Sequence, residues 1–305
     1  MIQTQAKQAS TPYLTAPLAW IVTLLASALP DIIWSEIAGP SPLWLYGVKA
    51  VGLVILAALT WLLVSLRPLR LFFLLLLVVE IGLWFENWLM ATTGWEAWEA
   101  KIPWVPGMLV IQLFEVGMVF LVAVLLLAFR KRRQEVYAAV GDLRAAAQPV
   151  RWLGQRKPTT WPSFGSILGV CLFFGGILFL WLLTPPSSST LLKLLPLLPG
   201  VVLIAAINSF DEEAIYRCGL MNSLEFPMGK MGALYVSSIF FGLAHYSGGF
   251  PGGLPWFILT SFIGYMLGKS MQETKGFLWA FLIHLVADIP VLAFSAMATL
   301  STRGF

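Results

Sequence analysis

The chain has 305 residues, of which 59% are hydrophobic and 11% charged, with 19 Lys and Arg against 15 Asp and Glu for a formal net charge of +4. Soluble domains carry about 25% charged residues, so this composition excludes an ordinary water-soluble domain and points to a bilayer. Apolar helices of about 20 residues and closed barrels are the two spanning solutions. The long unbroken apolar runs select the first: an all-α, polytopic transmembrane helical bundle.

Nine segments are expected to span, at approximately 13–34, 43–65, 70–91, 104–129, 164–184, 197–223, 231–247, 254–272 and 276–298, giving about eight to nine spanning helices. The polar stretch Met1 to Thr11 precedes an apolar run with no small-residue cleavage site, which reads as a retained helix and not a signal peptide. The segment 188–196 reads as interfacial, and Pro199 falls in the first turn of the next helix, where its missing N–H does no harm. The basic loop Arg67 to Arg70 and the basic stretch 130–157, with Arg130, Lys131, Arg132 and Arg133 at its head, should both be cytoplasmic. That places the N-terminus in the cytoplasm of a multi-pass protein, with a prokaryotic plasma membrane expected. The basic stretch is assigned to topology and anionic lipid, with no nucleic acid as partner. It also divides the chain: an N-terminal four-helix membrane region (1–129), a basic cytoplasmic linker (130–160) and a second membrane core (161–305) that holds nearly all the candidate chemistry. Cys171 and Cys218 show no metal or disulfide spacing and are expected to be buried as small hydrophobes. Tryptophans such as Trp95, Trp98, Trp104, Trp152 and Trp161 fall near predicted helix ends, as interfacial anchors do. Glu80 and Glu115 lie inside predicted spans and are read as partnered structural groups.

The candidate chemistry lies in the second half. His245 and His284 are the two histidines of the chain, and both fall in predicted spans. An ionisable group in a bilayer is a functional candidate by default. The sixth span holds Asn208, Asp211, Glu212, Glu213, Tyr216 and Arg217. Residues four apart share a helix face, so Glu213 can pair with Arg217, while Asn208, Glu212 and Tyr216 form a neighbouring polar stripe. Phe241 and His245 share a face of the next span, and His284 and Asp288 share one in the last. At about 1.5 Å per residue, Glu212, His245 and His284 arrive at similar depths, roughly 12–20 Å from the cytoplasmic ends of their helices.

The three motifs, in this order, resemble those of the CPBP family of intramembrane proteases, which process CAAX proteins and bacteriocins. Glu212, Glu213 and Arg217 match its Glu-Glu-x-x-x-Arg motif, Phe241 and His245 its Phe-x-x-x-His motif, and His284 and Asp288 its His-x-x-x-Asn or Asp motif. The resemblance spans roughly residues 160–298. It implies an intramembrane endopeptidase in which Glu212 is the general base, His245 its partner in activating water, and His284 with Asp288 the stabiliser of the oxyanion. Phe241, Glu213 and Arg217 would be supporting residues, the last two holding the Glu212 helix face. Asp288 departs from the Asn of prenyl-protein-processing members: ionised, it accepts hydrogen bonds and donates none. The resemblance implies no cofactor, although Glu212, His245 and His284 form a donor set suited to zinc with an open water position. The expected substrate is a membrane protein or a lipidated peptide. Two other classes compete: a non-enzymatic membrane scaffold or bacteriocin-immunity-type protein on the same fold, and a proton-coupled transporter using Glu115, Glu212 and the histidines with a re-entrant stretch at Gly248 to Pro255.

Overall fold

The structure is a computed structural model that describes residues 14–248 and 252–303, so the polar stretch Met1 to Thr11 and the middle of the Gly248 to Pro255 stretch lie outside the described residues. Among the described residues the chain forms α1 (Thr15–Ala26), α2 (Leu29–Ala38), α3 (Trp44–Leu62), α4 (Arg70–Met90), α5 (Thr93–Glu99), α6 (Trp104–Ala128), α7 (Trp161–Leu183), α8 (Ser188–Leu194) and α9 (Leu198–Glu212). A π-helical stretch (Glu213–Met221) follows α9 directly, and then come α10 (Asn222–Ala244), α11 (Gly253–Thr274) and α12 (Leu278–Arg303). The strand content is one two-residue antiparallel pair, β1 (Ala146–Ala147) with β2 (Thr159–Thr160). The all-α bundle expected from composition is present.

Among the described residues six helical bodies are long and apolar enough to cross a membrane, and seven if the bent pair α1–α2 is one span. This is fewer than the eight or nine expected, for two physical reasons. The expected spans 197–223 and 231–247 follow each other in a single run of 57 residues, Ser188–Ala244, whose helical backbone is interrupted at Gly229 (φ 76°), two residues after Pro227. Helix α11 has a polar final third, with Lys269, Ser270, Gln272 and Glu273, and is not among the six. The first expected span is bent by 45°, where the Ser27 hydroxyl bonds the Leu24 carbonyl at 2.8 Å and Pro30 opens α2 without an N–H to continue the ladder.

Large apolar side chains such as Ile55, Phe120, Leu127, Phe174 and Leu182 are exposed on the helices, as a lipid-facing surface requires. Inside, one apolar cluster runs from α1, α3, α4 and α6 through the π-helical stretch to α10, α11 and α12, with Phe73, Leu75, Met221, Leu224 and Met266 fully buried. Close packing of α11 on its neighbours depends on the Gly264-x-x-x-Gly268 spacing. A Cβ at Gly264 would lie 3.1 Å from Arg217 and Phe241, and one at Gly268 would lie 2.5 Å from Leu234. Small residues at this spacing let membrane helices approach closely.

The basic segment between α6 and α7 is an ordered cap. Val136, Tyr137, Ala147 and Val150 are buried in it. Tyr137 Oη donates to Glu225 at 2.6 Å, and burial, reinforced by that acceptor, pushes its phenol well above the ordinary range, so it remains a donor. Backbone bonds tie the cap to the α11–α12 turn: Asp142 N to Thr274 O and Phe277 N to Ala139 O, both 2.7 Å. Gly141 (φ 82°) passes so close to this turn that a Cβ there would lie 2.6 Å from Gly276 Cα. Cys218 is buried as expected, whereas Cys171 on α7 is exposed, contrary to expectation, because it lies at a cavity lined by α7 and α12.

Gly141→Ala should therefore destabilise the protein by about 1–3 kcal/mol from backbone strain alone, with the clash adding to it. Gly154 has a similar φ of 81° but nothing within 4 Å of an added Cβ, so Gly154→Ala isolates the strain. Thermal unfolding in detergent should rank Gly141→Ala clearly below Gly154→Ala.

Candidate active site

The acidic triplet falls where the backbone changes from α to π geometry, between Glu212 and Glu213. Such π segments are rare and often mark functional sites. Here two consecutive side chains reach the two nitrogens of one ring. Glu213 Oε1 lies 2.8 Å from His284 Nδ1, and Glu212 Oε2 lies 3.3 Å from His284 Nε2. His245 approaches from the other side, with Nε2 at 3.5 Å from Glu212 Oε1. One carboxylate thus stands between two imidazoles.

The end of α10 sets the His245 ring. The helix stops at Ala244 and His245 is its C-cap residue. Its Nδ1 bonds the Phe241 carbonyl at 2.8 Å, one of the carbonyls a helix end leaves without an intrahelical partner. A carbonyl accepts only, so Nδ1 carries the proton and Nε2 faces Glu212. Phe241 packs the whole group. Its ring centroid is 4.4 Å from that of His245 and 5.8 Å from that of His284, and the Arg217 guanidinium lies over it at 4.1 Å. Arg217 and Glu213 are fully buried and paired at 3.1 Å.

Asp288 sits one turn beyond His284 and faces it, Oδ1 to Nε2 at 3.5 Å. Its other oxygen accepts from Asn208 Nδ2 at 3.0 Å and lies 3.1 Å from Ser209 Oγ. Asn208 Oδ1 in turn accepts from Gln112 Nε2 of α6 at 3.3 Å. On the same side, Glu115 keeps one buried oxygen without a hydrogen-bond partner, as does Asp211 with both of its own.

A cavity of about 480 Å³ opens beside these groups, and its walls include Glu212, His245, His284, Asp288 and Asn208 together with Phe179, Trp256, Leu259 and Ile263. Helices α7 and α11 form its flanks and α12 packs between them. A larger cavity of about 710 Å³ adjoins it, sharing Leu180, Gly248 and Val291, and its lining mixes apolar side chains such as Phe294 and Met297 with hydroxyls such as Thr184, Ser295 and Thr302. Among the described residues no group of three or more His, Cys, Asp or Glu side chains is arranged to hold a metal ion.

The structure brings together Glu212, His245, His284, Asp288, Glu213, Arg217 and Phe241, all singled out in the sequence. One arrangement differs from expectation. Glu213 was expected only to help hold the Glu212 helix face, but it makes the short contact to His284 Nδ1, while Asp288 lies 3.5 Å from the other ring nitrogen. Asn208, Ser209 and Gln112 were not placed in the site. Asn208 had a signal, lying one turn before Glu212 on the same face. Gln112 had none, since its partner is 96 residues away.

Residues 194–290 match the family model described as type II CAAX prenyl endopeptidase Rce1-like. No curated protein and no solved structure matches the chain. The matched segment contains all three motifs, from Glu212 to Asp288, and begins after α7. Over it the chain is similar to a family of membrane peptidases.

A buried ion pair that loses one partner leaves the other charge uncompensated, at a cost of about 3–5 kcal/mol. Glu213→Gln should lower stability by that order, and adding Arg217→Met should recover much of it. Thermal unfolding of the single and double variants checks this: a double variant less stable than Glu213→Gln would show that Arg217 is held by something other than Glu213.

Proposed function

We propose that the protein is an intramembrane endopeptidase that hydrolyses peptide bonds of membrane-embedded or membrane-tethered proteins with water activated by Glu212. The observation that carries this reading is the single carboxylate of Glu212, held between two histidines on the wall of a largely apolar cavity. Water is a poor nucleophile until a positioned base takes its proton. Glu212 takes that proton as the water oxygen bonds to the scissile carbonyl carbon, while His245 Nε2 orients the water. The carbonyl π electrons pass to its oxygen, and His284 Nε2–H donates to the resulting oxyanion. Glu213 accepts from Nδ1–H, so His284 acts here as the doubly protonated imidazolium, with its Nε2–H facing the cavity. Collapse re-forms the carbonyl and breaks the C–N bond, and Glu212 returns the proton to the departing amine. The family match, to prenyl endopeptidases, and the apolar flanks of the site cavity support a lipidated or membrane-inserted substrate.

The chemistry of this proposal needs no metal ion. A membrane-permeant chelator should leave cleavage unchanged; loss of cleavage, restored by zinc, would reassign Glu212, His245 and His284 as metal ligands. The primary test compares membrane-protein termini by mass spectrometry in cells expressing the wild type, Glu212→Gln or His245→Ala. New termini should appear with the wild type, fall at least a hundredfold with Glu212→Gln, since a general base contributes about 10²–10⁴, and fall with His245→Ala as the water loses its orienting partner. Equal termini from all three proteins, each folded and inserted, would favour the non-enzymatic scaffold.

A further inference from the structure

The oxyanion site as described has one clear donor, His284 Nε2. Its neighbour Asp288, as a carboxylate, accepts hydrogen bonds and donates none. The structure places an amide beside it. Asn208 lies one helical turn before Glu212, lines the same cavity, and donates from Nδ2 to Asp288 Oδ2 at 3.0 Å.

We propose that Asn208 supplies the second N–H to the oxyanion, with Asp288 as the residue that positions its amide. A primary amide has two N–H bonds. Among the described residues Asn208 Nδ2 has one acceptor, Asp288, which leaves the other N–H for the cavity. The opposite end of the amide is also held, because Asn208 Oδ1 accepts from Gln112 Nε2 at 3.3 Å. With a carboxylate on one side and an amide donor on the other, the carboxamide cannot turn over without losing both bonds. Ser209 is the other group near Asp288 Oδ2, but its single hydroxyl proton is shared with the Ala205 carbonyl at 2.7 Å. In the attack step the electron pair of the carbonyl π bond moves to oxygen, and His284 Nε2–H and Asn208 Nδ2–H share the charge. Asp288 thereby contributes without itself being a donor: it aims the Asn208 amide and faces His284 Nε2 at 3.5 Å.

The inference rests on the proteolytic reading above, and the test separates the two. Termini are quantified in cells for wild type, Glu212→Gln, Asn208→Ala, Asp288→Asn and Asn208→Ala with Asp288→Asn, each brought to equal membrane abundance and checked by thermal unfolding. Loss of one oxyanion donor costs about 10²–10³ in rate, so Asn208→Ala should reduce product by that factor. Asp288→Asn places a donating amide at the neighbouring position, so the double variant should recover at least tenfold over Asn208→Ala. Cleavage by Asn208→Ala within threefold of wild type, with Glu212→Gln inactive, would overturn the role of Asn208 and leave the protease reading standing. A double variant no better than Asn208→Ala would also overturn it, marking the loss as structural. Identical termini from wild type and Glu212→Gln would instead remove the proteolytic reading on which it rests.

Discussion

The buried carboxylate of Glu213 is the group on which the rest of the site depends. It is fully buried and meets a guanidinium on one side and an imidazole on the other. In a low-dielectric interior neither anion nor cation can be left alone without a penalty of several kcal/mol, so Glu213, Arg217 and His284 constrain one another. That contact joins the π-helical stretch to α12. Arg217 then lies against Phe241, which joins the same stretch to α10 and touches both histidine rings. Once this knot is formed, His284 Nε2 has one direction left, towards Glu212 and Asp288.

The first helices are attached to this knot and not merely tethered by a loop. The apolar cluster is continuous from α1 and α4 into the π-helical stretch, and Gln112 of α6 holds the amide of Asn208. Farther out, Lys49 is paired at 2.9 Å with both Asp31 and Glu80, which joins α2, α3 and α4 by charge. Glu80 is therefore partnered, as its membrane position required, while Glu115 keeps one buried oxygen without a hydrogen-bond partner. The cap over residues 130–160 grips the α11–α12 turn through backbone bonds, so the start of the helix bearing His284 is anchored a few residues before the histidine.

The cavity combines two environments that hydrolysis in a membrane has to reconcile. Its flanks are apolar, with Phe179, Leu259 and Ile263, and suit a segment arriving from lipid. One wall gathers the polar groups that water needs. The adjoining cavity shares Leu180, Gly248 and Val291 with it, so the two spaces are continuous along α7 and α12.

Much of this was legible in the residues. Apolar runs too long for a soluble fold dictated a helical membrane bundle, and the pairs 213–217, 241–245 and 284–288 were legible because helical periodicity makes four-residue spacing a spatial statement. The span count was less so, because the expected spans 197–223 and 231–247 follow each other in one helical run that only bends at Gly229, and α11 is too polar at one end. Spacing along one helix says nothing of which other helix it faces. The direct bond of Glu213 to His284, the Asn208 bridge between Asp288 and Gln112, and the exposure of Cys171 were therefore decided by tertiary packing. The sequence by itself determined which residues could do chemistry, through their cost in a bilayer; only the tertiary structure decided which nitrogen meets which oxygen, because that depends on the rotation and close approach of helices far apart in the chain.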